Sequence, residues 1–214
     1  MLKVSSNGKN LTKDGKPFFW LADTCWSAFT NIDDEEWEYY LYRRSYQGFN
    51  VLQINILPQW DATNTELQYH AFDEDYMHLN DEYFAHARKM CIAAKEKGFE
   101  VALVVLWCNY VPDTWASKIF VNRLKKGLMP FEAVENYVRK VHETFSDLEP
   151  VYVISGDTDF PSEECKNYYL SAARLLKSLA PDLLYTTHIK GRSTDVPDEL
   201  AETLDLMFYQ SGHN

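Results

Sequence analysis

Three polar residues follow apolar, strand-like runs in this chain, and their types suit acid/base chemistry. Asp157 closes the run Val151–Asp157, His188 closes Leu183–His188, and His213 lies near the end of Leu204–His213. The carboxyl ends of parallel strands share one face of a sheet, so we expect these side chains to meet. A carboxyl group held in a closed cleft is a natural general acid, because partial burial raises its pKa.

Each of these residues also has a plainer interpretation. Asp157 could simply cap the helix that follows its strand, and His188 could be a structural histidine with satisfied hydrogen bonds. Gln210 and His213 belong to the run Tyr209–His213, where five polar-capable residues crowd one strand end, although a segment there could be frayed. Gly156 leaves room beside the backbone, and we expect a ligand to use it.

Further candidates lie at the ends of other strand-like runs. Trp26 and Trp107 could stack against a sugar ring, although each could equally serve core or lid packing. Gln53 and Asn55 lie on the same face of one strand by alternation, and neither suits a buried apolar position. We therefore expect Gln53 and Asn55 to point into a polar site.

The elements that would position these residues alternate along the chain. A small hairpin over residues 2–16 precedes strand and helix patterns that repeat five times, followed by a sixth strand over 204–213. Such alternation predicts a parallel sheet with right-handed crossovers. An open doubly wound sheet and a (β/α)8 TIM barrel both fit. Polar endings on nearly every strand favour the barrel, here incomplete with about six βα units in one domain over 1–214.

Composition limits the partners and the location of the chain. The net charge of −11 argues against binding to a nucleic-acid backbone. No apolar segment is long enough to span a membrane and no signal peptide is visible, so we expect a cytoplasmic protein. The four cysteines lack a CxxC pair, which indicates free, buried thiols.

Motifs for cofactors and metals are missing from the sequence. The glycine-rich phosphate turn is absent after the first strand, where Asp23-Thr24-Cys25-Trp26 stands instead. Residues 22–26 contain no histidine, and the chain has no HExxH, Gly-x-Ser-x-Gly or P-loop motif. The sequence therefore predicts no cofactor and no metal site, and a metal-dependent hydrolase is the least supported alternative.

Several runs along nearly the whole chain resemble the apiosidase-like glycoside hydrolases, a family also described as glycosidases or endoglucanases. The matching runs are collinear with the family and comprise Phe19–Trp26, Gly48–Ile54, Asn80–Phe84, Ala102–Trp107, Ile154–Asp157 and Tyr209–His213. The resemblance implies a (β/α)8 barrel that cleaves O-glycosidic bonds of plant-type or other complex carbohydrates with two carboxyl groups. It adds Asp23 to the expected substrate-binding residues.

The resemblance assigns the acid/base role to Asp157, the aspartate of the family's Gly-Gly-Asp turn. Ser155 replaces the first glycine of that turn, and Thr158 replaces the arginine that usually follows, which leaves fine substrate recognition open. The family's second carboxylate, a glutamate at the seventh strand, would lie beyond Asn214. We therefore expect little turnover from this chain alone, and self-association through the open edges of the barrel.

Two functions remain open on the sequence. The first is a fragment of a glycoside hydrolase catalytic domain that acts on a carbohydrate substrate. The second is a non-catalytic carbohydrate-binding or remnant barrel fragment in which the aromatic cleft persists without chemistry.

Overall fold

A computed structural model describes residues 1–59, 68–73, 75–120 and 128–211 of the chain. The amino-terminal segment forms a three-stranded antiparallel meander in the order β1-β2-β3, with strands at Leu2–Val4, Leu11–Lys13 and Lys16–Phe18. The turn between β2 and β3 uses Asp14 and Gly15, both with positive φ, as a two-residue hairpin requires. The predicted hairpin over 2–16 is thus present, and Lys16–Phe18 extends it by a third strand.

A five-stranded parallel sheet forms the body of the molecule, in the order β4-β5-β6-β7-β8. Its strands are Ala22–Thr24, Val51–Asn55, Glu100–Trp107, Val151–Thr158 and Tyr185–Ile189. Every pairing is parallel, so all carboxyl ends lie at one edge. The sequence pattern predicted one strand over 18–26, but Phe18 pairs with β2 and only Ala22–Thr24 joins the parallel sheet.

Helices connect the strands, as the alternating pattern predicts. Their bounds are α1 Ala28–Asn31, α2 Asp34–Tyr46, α3 Asp81–Glu96, α4 Trp115–Phe120, α5 Phe131–Phe145, α6 Glu163–Leu179 and α7 Asp198–Ala201. Asp33 and Glu36 form a reciprocal capping box at the start of α2. Gly48, with φ of 83°, lets the chain leave α2 and turn into β5.

The hydrophobic core lies between the sheet and the long helices. Three helices each bury one apolar stripe, which comprises Phe84, Ala87, Cys91 and Ala94 of α3, Val134, Tyr137, Val138, Val141 and Phe145 of α5, and Tyr169, Ala172, Ala173 and Leu176 of α6. Strand β6 is buried along its whole length. This two-sided burial is expected for a central parallel strand and explains its uninterrupted apolar sequence.

The sheet is curved, and its two outer strands approach each other. Trp20, just before β4, packs edge-on against Phe208, downstream of β8, with ring centroids 5.2 Å apart. The fold is therefore an incomplete barrel of five parallel strands. The sixth strand predicted over 204–213 is reduced, within the described residues, to a single parallel bridge between His188 and Phe208.

The meander is tied to the sheet by a buried carboxylate. Glu100 begins β6, is 2% exposed, and forms ion pairs of 2.6 Å with both Lys13 of β2 and Lys95 of α3. Burial alone would raise the pKa of Glu100, but the two lysine hydrogen bonds outweigh it, and the net shift is downward. This contact places the meander at the amino-terminal end of the sheet, opposite the strand ends that carry the candidate site.

All four cysteines are free thiols, as the sequence predicts, and three of them are fully buried. Within the described part of the chain, no helix is both long and apolar enough to cross a membrane.

Candidate active site

A cavity of about 720 Å³ opens at the carboxyl ends of the parallel strands. Its size suits a small ligand or a few sugar units. The described residues that line it are Thr24, Trp26, Gln59, Trp107, Trp115, Asp157, His188, Gly191, Arg192 and Gln210. Of the eight described residues predicted for the site, five line this cavity, which confirms that the strand ends converge.

Asp157 lies near the end of β7, where the pairing with β8 shifts register between Gly156 and Thr158. Its backbone is left-handed, with φ of 54°. An aspartate tolerates that region better than most residues, at a cost of roughly 1 kcal/mol. The surrounding structure must therefore hold it there, and side chains rather than neighbouring strands supply the contacts.

Three side chains hold Asp157 in place. Gln210 donates from Nε2 to Oδ1 of Asp157 at 2.6 Å and to the carbonyl oxygen of Ile189 at 2.8 Å. Because both partners are acceptors, the amide nitrogen of Gln210 must face them. Trp115 donates its indole N–H to the carbonyl oxygen of Asp157 at 2.8 Å, and the backbone N–H of Asp157 donates to Nδ1 of His188 at 3.2 Å.

Aromatic rings form one wall of the cavity. The rings of Trp26 and Trp107 lie 5.2 Å apart, and both contact the imidazole of His188, at 5.8 and 5.9 Å between centroids. Trp107 is almost fully buried, and its indole N–H has no hydrogen-bond partner. Such a wall offers apolar faces on which a sugar ring could stack.

The space beside Gly156 is occupied by protein. A Cβ atom placed there would lie 1.9 Å from Cε3 of Trp107, so the indole ring fills the position. The expectation that a ligand uses this space was wrong, because Gly156 and Trp107 are directly paired across β7 and β6. The glycine instead permits Trp107 to pack against the backbone of the neighbouring strand.

Asn55 contributes to the site indirectly. Its side chain is buried and donates from Nδ2 to Oε1 of Gln59 at 3.2 Å, while Gln59 itself lines the cavity. Since Oε1 accepts that bond, the amino group of Gln59 is the end left to act as a donor elsewhere. Asn55 thus orients a cavity residue and is not itself part of the lining.

Two other predicted residues lie away from the cavity lining. Asp23 turns toward α2, where it accepts a hydrogen bond from Tyr40 at 2.6 Å and pairs with Arg44. It therefore anchors α2 and does not line the cavity, because successive strand residues point to opposite faces and the next residue, Thr24, takes the cavity side. Gln53 is half-buried and pairs with Thr24 across β5 and β4, but it is not among the residues that line the cavity. His213 lies outside the described residues.

Sequence reasoning missed several lining residues. Gln59 lies in a loop, Trp115 begins α4, and Arg192 follows β8 with a left-handed backbone. The sequence signal for Trp115 was its aromatic type alone, and no strand pattern pointed to its position. Asp159, a second carboxylate near Asp157, is paired with Lys190 and does not line the cavity. In the described segments, no group of three histidine, cysteine, aspartate or glutamate side chains is placed to hold a metal ion.

The sequence model of the family described as "Apiosidase-like, catalytic domain" matches residues 5–214. The chain belongs to this family. The match covers nearly the whole chain, including the strand ends that form the cavity. No curated protein matches the sequence.

Solved structures of glycoside hydrolases share the architecture. A glycoside hydrolase family 5 protein from Bacteroides vulgatus has a TM-score of 0.68 at 22% identity, over 90% of this chain and 40% of that one. An exo-β-1,4-mannosidase from an Opitutaceae bacterium has a TM-score of 0.64 at 11% identity, over 97% of this chain and 40% of that one. The endo-1,4-β-mannanase from Rhizomucor miehei has a TM-score of 0.59 at 14% identity, over 92% of this chain and 64% of that one. This apiosidase-like chain thus spans about 40% of the length of two of these proteins.

Proposed function

We propose that this apiosidase-like chain carries the acid/base half of a glycoside hydrolase active site, acting on O-glycosidic bonds of a plant-type or other complex carbohydrate. The observation that carries the proposal is the position of Asp157. It is the single carboxylate among the described residues that line the cavity at the strand ends. Family membership and the glycoside hydrolase folds of the structural neighbours support the same reaction class.

The hydrogen bond from Gln210 orients the carboxyl group of Asp157, because the amide nitrogen donates to Oδ1. In a retaining mechanism, the protonated carboxyl group would give its proton to the departing glycosidic oxygen and later remove one from the attacking water. General acid/base catalysis of this kind contributes about 10²- to 10⁴-fold in rate.

A second carboxyl group is needed to complete the reaction. In retaining enzymes the partner attacks the anomeric carbon from about 5–5.5 Å away, and in inverting enzymes it activates water from a greater distance. We propose that the partner is the glutamate that the family resemblance places beyond Asn214, and that residues 1–214 alone turn over slowly. Because Asp157 is the single carboxylate among the described lining residues, a second candidate function is a non-catalytic carbohydrate-binding fragment with an aromatic cleft.

The structural neighbours suggest sugars to test first. Two of them are named as enzymes that act on β-1,4-mannosidic bonds. A panel for this chain would therefore contain mannan oligosaccharides, plant cell-wall polysaccharides and aryl glycosides. Aryl glycosides with good leaving groups need little protonation, whereas those with poor leaving groups depend on the general acid.

The test compares Asp157→Asn with Asp159→Asn in the 214-residue protein on this panel. Asp159 is a matched control, because it is a carboxylate two residues away that pairs with Lys190 outside the cavity. We expect Asp157→Asn to lower turnover of poor leaving groups by about 100-fold or more, with a smaller loss for good ones. Equal turnover in both variants would refute the role of Asp157. Sugar binding without any turnover by the wild-type chain would instead establish the second candidate.

We also propose that the chain self-associates through its sheet edges. Within the described residues, β4 pairs only with β5, so its outer edge presents unpaired backbone groups. The outer edge of β8 is partly covered, because Tyr185 bonds to Asp205 and His188 forms a bridge with Phe208. The cytoplasmic location stays a prediction from the sequence.

A further inference from the structure

The backbone of Asp157 is held by side chains. At the register shift between β7 and β8, its N–H donates to Nδ1 of His188 and its carbonyl oxygen accepts from Trp115. These two bonds satisfy the backbone N–H and carbonyl groups of Asp157, which is left-handed and lies between the paired residues Gly156 and Thr158. They also determine the direction in which the carboxyl group leaves the backbone.

The contact with Asp157 fixes the state of the imidazole. Because Nδ1 of His188 accepts a hydrogen bond from a backbone N–H, it carries no proton, and the neutral ring bears its hydrogen on Nε2. The ring packs between Trp26 and Trp107, which are both uncharged. Burial lowers the pKa of His188 below 6.5, and the nearby carboxylate of Asp157 opposes this effect only in part.

Among the described residues that line the cavity with His188, two are charged. Asp157 faces it from β7, and Arg192, which follows β8, lines the same cavity. From the segment after β8, the neutral amide of Gln210 approaches Asp157, and β6 and the segment after β4 present only tryptophan rings. If Nδ1 of His188 took up a proton, it would become a donor facing the N–H of Asp157, and the hydrogen bond between them would be lost.

We propose that His188 is a positioning residue for Asp157: its neutral imidazole holds the left-handed backbone that directs the carboxyl group into the cavity, and its protonation releases that backbone. The inference rests on the proposed function only for the role given to the carboxyl group. The hydrogen bond is present above the ordinary histidine pKa of 6.5 and is lost as the pH falls through the lowered value in the fold.

Two substitutions separate this role from simple packing. In His188→Asn, the side-chain oxygen can take the place of Nδ1, so an acceptor that does not titrate remains. In His188→Gln, the amide reaches instead toward the position of Nε2, and the acceptor for Asp157 is lost. Both replace the ring by a neutral amide, so a packing role would be affected to a similar degree in each.

The experiment measures hydrogen exchange of the Asp157 amide by NMR, as a protection factor, between about pH 8 and pH 5. We expect wild-type protection to fall by about 10-fold or more as His188 protonates. His188→Asn should retain protection across the range, and His188→Gln should lack it throughout. The amide of Val104, in the centre of the buried strand β6, reports whether each variant stays folded.

A measurement on the wild-type protein needs no variant. Long-range ¹H–¹⁵N spectra of the imidazole should show the proton of neutral His188 on Nε2. A proton on Nδ1 at neutral pH, or wild-type protection at Asp157 that does not change with pH, would overturn the proposal. Because neither measurement uses a sugar, the positioning role can fail while the glycosidase function stands, and the reverse also holds.

Discussion

The glycine before Asp157 could leave room for a ligand or for the ring of Trp107, and a Gly156→Ala variant distinguishes the two explanations. Substitution by alanine adds one methyl group, which would meet three atoms of the Trp107 ring at 1.9, 2.5 and 2.6 Å. Carbon atoms in contact normally lie about 3.5–4.0 Å apart, so the indole must shift by roughly 1.5–2 Å. The φ of Gly156 is not positive, so the backbone itself accepts alanine and the cost is steric.

The ring has little freedom to make that shift. Trp107 is 5% exposed and packs against both Trp26 and His188. Inserting a methyl group into such a site typically costs about 1–3 kcal/mol, and we expect Gly156→Ala to lie at the upper end of this range. Urea denaturation followed by far-UV circular dichroism measures the change in the free energy of unfolding.

A double-mutant cycle isolates the contact with the ring. Trp107→Leu removes the atoms that the new methyl group would meet, so Gly156→Ala should cost less than about 1 kcal/mol in that background. Gly48→Ala is the control: Gly48 has positive φ and no atom near its Cβ position, so its cost should be the same in both backgrounds. An equal cost of Gly156→Ala with and without the indole would refute the steric argument.

Three further predictions concern the scaffold. Glu100→Gln should lower the free energy of unfolding by about 2–3 kcal/mol, since it weakens two buried lysine contacts, whereas Asp34→Asn in the exposed pair with Lys89 should leave the denaturation midpoint unchanged. Because the pKa of Glu100 is lowered in the fold, its contribution is present above the ordinary value of 4.5 and lost as the pH falls through the lowered one, which denaturation at several pH values will show. The three buried thiols should react with a disulfide reagent only after denaturation, since burial raises their pKa, to about 12 for Cys165. Light scattering should find oligomers that dissociate on dilution, and a stable monomer at all concentrations would contradict pairing through the sheet edges.

The fold was predictable where local patterns and tertiary structure agree. The capping pair Asp33 and Glu36, the glycine after α2 and the apolar stripes of three helices each determine an element by themselves. The sixth strand was not predictable in this way. Residues 204–206 alternate like a strand, but the carboxylate of Asp205 accepts hydrogen bonds from the backbone of Tyr185 and from Lys177, so this segment anchors β8 by side-chain contacts. A strand pattern is realised only when a neighbour pairs with it.

The candidate site was predictable in position but not in all its members. Strand ends gave the edge of the sheet at which Asp157, His188 and Gln210 converge. They did not give the face on which each side chain lies, because a shift of one residue reverses it. Asp23 is the clear case: it meets Arg44 and Tyr40 on the helix side, and Thr24 lies at the cavity. Gln59, in a loop, and Trp115, at the start of α4, depend on long-range packing that no local period encodes.

Asp157 is held in place by side chains from three different segments. His188, Gln210 and Trp115 come from β8, from the segment that follows it and from α4, and together they hold the backbone and one carboxyl oxygen. All three side chains lie within residues 1–214, and we expect them to hold the proposed acid in place whether or not a second carboxylate is available. Asp157 should therefore keep its left-handed backbone, its amide protection and its bond to Gln210 in residues 1–214 even where turnover is absent.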